Sequence, residues 1–525
     1  MTQPVLFWFR KSLRVHDNLA LKRAVEYAAQ HSATLVPVFV IDPHFVNPDK
    51  VGVVRMNFLL ESLQDLSSTL QQHRAQQLLV LRGNPEQVFP DLLFARKGSE
   101  SGISALFFEN DTEPYAKQRD TRVGELARKA DVHVESCYGH TLYDPDWLLK
   151  RARGGRPPET MSAFTALMES VGPPSKPVSA EDVMKSLANT PQDDELLRKQ
   201  LMSEAQPLSI PNLAELGYPD ASPSRLFKGG ESAALEKLRE FCARKKGECV
   251  RKFAKPETNP AAFEPPETTT LSPYMKFGCL SPREFYHRVE SIRNSKSTQP
   301  PVSLIGQLYW REHFTLLGYV TPNFDRMEGN PLCRRIDWDT TPEYVSAWES
   351  GKTGYPWIDA CMRQLVSEGW LHHLARHSVA CFLTRGDLWQ SWEVGKAVFE
   401  KHLIDADWSL NAANWMWLSC SAFFHQYFRV YSPSAFPKKY SHVAAFIRKY
   451  VPELRAMPDA YLLEPWKAPE KVQREAGCLI GKHYPSRVVI HEDISKENIQ
   501  RMKRAFELNK TERPSSTGTK RSREE

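Results

Sequence analysis

The chain has 525 residues and lacks any run approaching the roughly 18 consecutive apolar residues that a membrane-spanning helix requires. Its mean hydropathy is −0.48, so no membrane span is expected. Secretion is not expected either: the five apolar residues from Val5 to Phe9 run straight into Arg10 and Lys11, too short for a signal core, and read as a strand. Nine cysteines, at 137, 242, 249, 279, 333, 361, 381, 420 and 478, include no CxxC pair. That argues against a disulfide framework and a thiolate zinc site, and fits a reducing compartment. Strong charge of either sign is absent too, since 69 Lys and Arg against 63 Asp and Glu leave +6, which permits a polyanionic partner without demanding one. What is present is an ordinary globular composition, 41% hydrophobic and 25% charged. One feature is unusual: ten of the 13 tryptophans fall between Trp310 and Trp417.

At about 150 residues per domain the length allows two to four domains. Over residues 1–140, β-rich runs (Val5 to Phe9, Leu35 to Ile41, Leu78 to Leu81, Ala105 to Phe108, Val132 to Ser136) alternate with stretches of helical length. This predicts a doubly wound α/β domain with a parallel sheet. The turn after the first strand, Phe9-Arg10-Lys11-Ser12-Leu13-Arg14, has no GxGxxG, so a standard dinucleotide site is not signalled. Residues 141–227 contain Gly154-Gly155, Pro157-Pro158 and Pro173-Pro174 and read as an interdomain connector crossing a surface. Residues 228–508 follow helical patterns with few β-rich runs and predict an all-α domain. Residues 509–525 read as a disordered polar tail, in which Lys520-Arg521 with Arg523 is only a weak nuclear-import signal.

Gly351-Lys352-Thr353 looks like the end of a phosphate loop, but Ser346 stands where the earlier glycine belongs, which excludes an NTPase. His373 and His377 are four apart and share a helix face. Leu374 replaces the glutamate of a zinc protease, so no metal is expected; a proton-transfer pair and a structural pair are both consistent with the spacing. The segment from Asp405 to Trp417 holds two aspartates, two asparagines and three tryptophans, either a helix N-terminus packed on indoles or a site in which Arg376 supplies a cation to Asp405 or Asp407. Ser272-Pro273 after three threonines is an N-cap that also suits a phosphate.

Five blocks in order are similar to the cryptochrome/photolyase family: Trp8-Phe9-Arg10-Lys11 with Leu13 to Asn18, Leu271 to Tyr274 with Lys276-Phe277-Gly278, Gly306 to Glu312, Gly351 to Pro356, and Asn411 to Trp417. Within it the chain most resembles eukaryotic (6-4) photolyases and animal-type cryptochromes. The resemblance covers almost the whole chain and implies FAD in the helical domain, an antenna such as a deazaflavin or folate in the α/β domain, UV-damaged DNA as substrate, and a nuclear or organellar monomer. It implies FAD contacts from Phe253, Thr268, Thr269, Ser272, Gln307, His373, Arg376, Asp405, Asp407 and Asn411. His373 and His377 would be catalytic, a neighbour holding one imidazole protonated. Lys276, Gln307, Trp310, Trp417, Arg429 and Tyr431 would meet DNA or the lesion. Trp415, Trp392, Trp338 and Trp389 would carry electrons. Trp370 and Trp408 read as core only. The alternative within the same resemblance is a cryptochrome acting as a blue-light receptor through clock or signalling proteins.

Overall fold

The computed structural model describes residues 3–72, 78–90, 102–188, 190–191, 209–219 and 226–512. Five parallel strands, β1 (Val5–Phe9), β2 (Leu35–Ile41), β3 (Leu79–Arg82), β4 (Ala105–Glu109) and β5 (His133–Cys137), lie in the order β3-β2-β1-β4-β5. Val5 is in register with both Leu35 and Ala105. Every residue of β1, β2 and β4 is buried, because helices cover both sheet faces and an uninterrupted apolar run is what such a strand needs. The crossovers include α1 (Leu19–Gln30), capped by the Asn18 side chain, α2 (Val53–Gln72) and α3 (Pro114–Lys129). The expected strands stand within one residue of their predicted limits.

The connector does not lie loosely over a surface. Met161–Val171 forms a helix capped by Thr160, and Met161, Phe164, Leu167 and Met168 enter the core. Their spacing of three, three and one is one helix face, which the flanking Gly and Pro pairs obscure.

The second domain is helical, as predicted. The elements that build its centre are α4 (Leu304–Val320), α5 (Pro356–Glu368), α6 (His373–Cys381), α7 (Trp392–His402) and α8 (Trp408–Leu418). α4 and α8 are apolar on most sides because each is packed on most sides. The last described element is α9 (His491–Glu512), which runs past residue 509, the expected start of the tail; the remaining tail residues, 513–525, lie outside the described residues.

The turn after β1 binds the two domains together. Arg14, fully buried, donates to the carbonyls of Gly139 at 2.9 Å and Gly278 at 3.0 Å, and Asp17 pairs with Arg283 at 2.8 Å. Gly278 has φ +68°, and a Cβ there would fall 1.5 Å from the Lys11 carbonyl oxygen, so only glycine fits. Gly351-Lys352-Thr353 is a turn with Lys352 exposed and Thr353 buried, the Thr353 N–H and Oγ1 donating to Asp359 Oδ1 at 2.7 and 2.6 Å.

Candidate active site

A deep cavity opens in the helical domain among α4, α6, α7 and α8 and the loops carrying Phe253 to Lys255 and Thr268 to Ser272. With its mouth it encloses about 1360 Å³. Phe253, Thr268, Thr269, Ser272, Gln307, His373, Arg376, His377, Asp405, Asn411 and Trp415 all line it, so eleven predicted site residues from across the domain converge on one space.

α6 begins at an unusual cap. His372, 1% exposed, takes the N-cap position: its Nδ1 accepts from the Leu374 N–H at 3.2 Å while its Nε2 lies 2.9 Å from Thr258 Oγ1. This fixes the start of the helix and presents His373 and His377 one turn apart, ring centroids 5.9 Å and nearly perpendicular. Tyr431 reaches His377, its hydroxyl 3.3 Å from Nδ1. Burial, with Lys255 and Arg376 nearby, pushes the His377 imidazolium down to about 3 and that of His373 lower still. Contrary to expectation, among the described residues no partner holds either imidazole charged: the groups that shift the pair are cationic or imidazoles, and both rings are neutral in the cofactor-free protein.

The floor of the cavity is an ion pair. Arg376 donates to Asp405 Oδ2 at 2.8 Å, and Ser272 Oγ donates to the same oxygen at 2.7 Å. Asp405 Oδ1 and Thr268 Oγ1 are buried without a hydrogen-bond partner. A buried acceptor and a buried hydroxyl left open on one cavity wall suit a ligand carrying N–H or O–H donors and phosphate oxygens, so the residues fit FAD. Ser272, already committed to Asp405, offers less to a pyrophosphate than Thr268. Asn411 Nδ2 donates to the Lys396 carbonyl at 3.0 Å. Its Oδ1 makes no hydrogen bond among the described residues, so that oxygen is open as an acceptor, and the amide keeps a second N–H beside it.

Two expected positions are corrected. Asp407 does not line the cavity: it turns to the α/β domain, 3.9 Å from Lys11 Nζ. Burial alone would raise its carboxyl, but Lys11, Arg311 and Lys276 hold it down to about 2. Lys276 likewise leaves the DNA side for a second pocket between the domains, lined also by Trp8, Phe39, Phe45, Arg55 and Phe277. There burial, then the charges of Arg55 and Lys11, lower its ammonium to about 8. Trp310, Trp417 and Tyr431 stand beside the cavity rather than in its wall, Trp310 meeting Trp417 edge to face at 5.2 Å. Arg429 is exposed on a loop whose carbonyls at 427 and 429 are held by Arg385 Nη1, both at 2.9 Å. Trp370, read as core only, is a wall of the cavity. Lys255, which no motif includes, also lines it, as does Arg311, which lies within the Gly306 to Glu312 block without an expected role. Burial and Arg376 lower Lys255 to about 8.

Trp415 lines the cavity and shares a core cluster with Trp392. Trp338 packs against both that cluster and a smaller one holding Trp389, its ring 4.9 Å from Trp389. Two of the four indoles thus belong to the core beside the cavity, and Trp338 joins that core to the cluster of Trp389.

The chain was compared with known proteins. Residues 5–180 match the model of a DNA photolyase domain, and residues 304–504 match the FAD binding domain of DNA photolyase. A (6-4)DNA photolyase of Oryza sativa subsp. japonica is 46% identical over 519 residues, covering 96% of this chain and 90% of that protein. Cryptochrome-1 of Sylvia borin is 44% identical over 505 residues, covering 95% and 78%. A crystal structure of a bacterial class III photolyase from Agrobacterium tumefaciens superposes with a TM-score of 0.78 at 28% identity, covering 97% of this chain and 98% of that one. Fold, cavity and relatives agree: the chain belongs to the cryptochrome/photolyase family.

Proposed function

We propose that the protein is a light-driven DNA lyase that reverts (6-4) pyrimidine photoproducts, with FAD in the helical cavity. The observation that carries this reading is the His373–His377 pair on one wall of a cavity whose floor is the Arg376–Asp405 ion pair. Photolyases that split cyclobutane dimers resemble this helix but have Asn and Met at the two histidine positions. Reverting a (6-4) lesion needs a proton donor as well as an electron, because a hydroxyl or amino group must return to its original ring. When bound, reduced and excited by light, FAD supplies that electron and takes it back.

The residues of this chain do the rest. Thr268 and Asp405 offer their open buried atoms to the cofactor, and Arg376 places a cation that favours a reduced, anionic flavin. Gln307, with Trp310 and Trp417 alongside, shapes the space for a flipped-out dinucleotide. Arg429 and the exposed Lys150, Arg151 and Arg153 supply cations for backbone phosphates. His377 donates the proton. Burial is the main cause that suppresses its protonation, and phosphate brought near Lys255 and Arg376 offsets part of the cationic contribution that adds to it, so binding moves the imidazole towards its acid form. The interdomain pocket, aromatic on several sides and carrying Lys276, suits a planar anionic antenna such as a deazaflavin.

The test is illumination of the FAD-loaded protein with DNA carrying either lesion, scoring restored bases. The reading expects (6-4) repair by the parent and none by His377→Ala at unchanged FAD content. Repair of cyclobutane dimers alone, or full turnover by His377→Ala, refutes it. A second reading rests on the likeness to cryptochrome-1: a light receptor working through protein partners. Absent repair with a light-dependent change in partner binding would favour that reading.

A further inference from the structure

One of the four indoles differs from the rest. Nε1 of Trp415, Trp392 and Trp338 is buried with no hydrogen-bond partner. Nε1 of Trp389 instead donates at 2.7 Å to the carbonyl of Asp337, an exposed residue. Trp389 also carries a cation on its face, the Arg501 guanidinium, 4.3 Å from the ring centroid. Arg501 comes from α9 and is gripped by both oxygens of Asp339, whose own N–H donates to the Trp389 carbonyl at 2.9 Å. Trp389 has φ +52°, a costly conformation for a bulky residue, so the turn is held in place by its surroundings.

We propose that Arg501 is a positioning residue that makes Trp389 the site where an electron hole sheds its proton. This rests on the tryptophans serving as the electron path that the family resemblance implies. A guanidinium over a neutral indole is attractive, whereas the same cation over an indole radical cation is repulsive. The charge therefore favours the form that has lost the N–H proton. One electron passes from Trp389 to the oxidised Trp338. One proton leaves Nε1 along its bond towards the Asp337 carbonyl and goes to water, and a neutral indolyl radical remains. An external thiol then returns one hydrogen atom and restores Trp389. Among the described residues no acceptor reaches the inner three nitrogens, so the proton is lost only at the end of the path.

Flash photolysis of the FAD-loaded full chain, read by the tryptophan-radical spectrum and by proton release to a pH-indicator dye, tests this. Arg501→Gln should slow proton release about tenfold, what one unit of acidity corresponds to, and prolong the radical-cation spectrum, with FAD content unchanged. Arg501→Lys should restore both. Release at the parent rate in Arg501→Gln, or no recovery in Arg501→Lys, overturns the proposal. Trp389→Phe keeps it falsifiable should Arg501→Gln fold poorly, because unchanged proton release in that variant also overturns it. The underlying path is tested separately: parent-like photoreduction in Trp415→Phe would sink the path itself, whereas a failure confined to the Arg501 variants would leave it standing.

Discussion

Replacing His372 by asparagine should remove one ring's share of the acid sensitivity of the cofactor-free protein, alongside the shares of His373 and His377. His372 Nδ1 accepts the Leu374 N–H at the start of α6, so protonating it would set a donor against a donor at the positive end of a helix dipole. Burial, followed by Arg376, Lys255 and His377, holds its imidazolium down to about 3. In the unfolded chain the ring titrates near 6.5. Between these values the unfolded state binds a proton that the folded state refuses, so stability falls as pH drops from about 6.5 towards 3 and is fully present above 6.5. From pH 7 to pH 5 the loss from this one ring is about 2 kcal/mol. Asparagine preserves the cap through its carbonyl oxygen and does not titrate. Equilibrium denaturation followed by tryptophan fluorescence at pH 7 and pH 5 measures the difference, and the variant should lose about 2 kcal/mol less than the parent over that interval. An identical pH dependence in the two proteins would refute the assignment of the cap.

Gly395 faces Trp415, and a Cβ there would lie 2.2 Å from the indole Cη2 and 2.7 Å from Leu383 Cδ2. Gly395→Ala should therefore destabilise the fold by about 1–3 kcal/mol and lower FAD retention, read by denaturation and flavin absorbance. Lys255→Met removes a cation that lowers His377, so the alkaline limb of the repair pH profile should move to higher pH. Lys276→Met should leave affinity for lesion DNA and its salt dependence unchanged, because that side chain lies between the domains; weaker binding with a shallower salt slope in an anisotropy titration would return it to the DNA face.

The strands were legible because β1, β2 and β4 are buried on both faces and so are written as unbroken apolar runs. The i, i+4 spacing placed His373 and His377 together, and Arg376 found Asp405 because α6 and the loop before α8 face each other across the cavity. Asp407 and Lys276 went astray for one reason: each is next to cavity residues in the chain, but its charge partner or pocket lies in the other domain, with Lys11 about four hundred residues from Asp407. Local pattern carries no trace of such a partner. His372 escaped notice because a histidine cap has no common signature, and Lys255 because its significance is the absence of a nearby acid, which only the folded surroundings reveal. The buried face of Met161–Val171 was hidden by the glycines and prolines around it.

Asp405 and Asp407, separated by Ala406 alone, face apart: one belongs to the helical cavity, the other reaches across to Lys11 of the α/β domain. That short span couples the cavity to the seam between the domains. Any effort to reshape the cavity by editing it will tug on that seam. Engineering in such a scaffold must treat the two as a single remodelling problem.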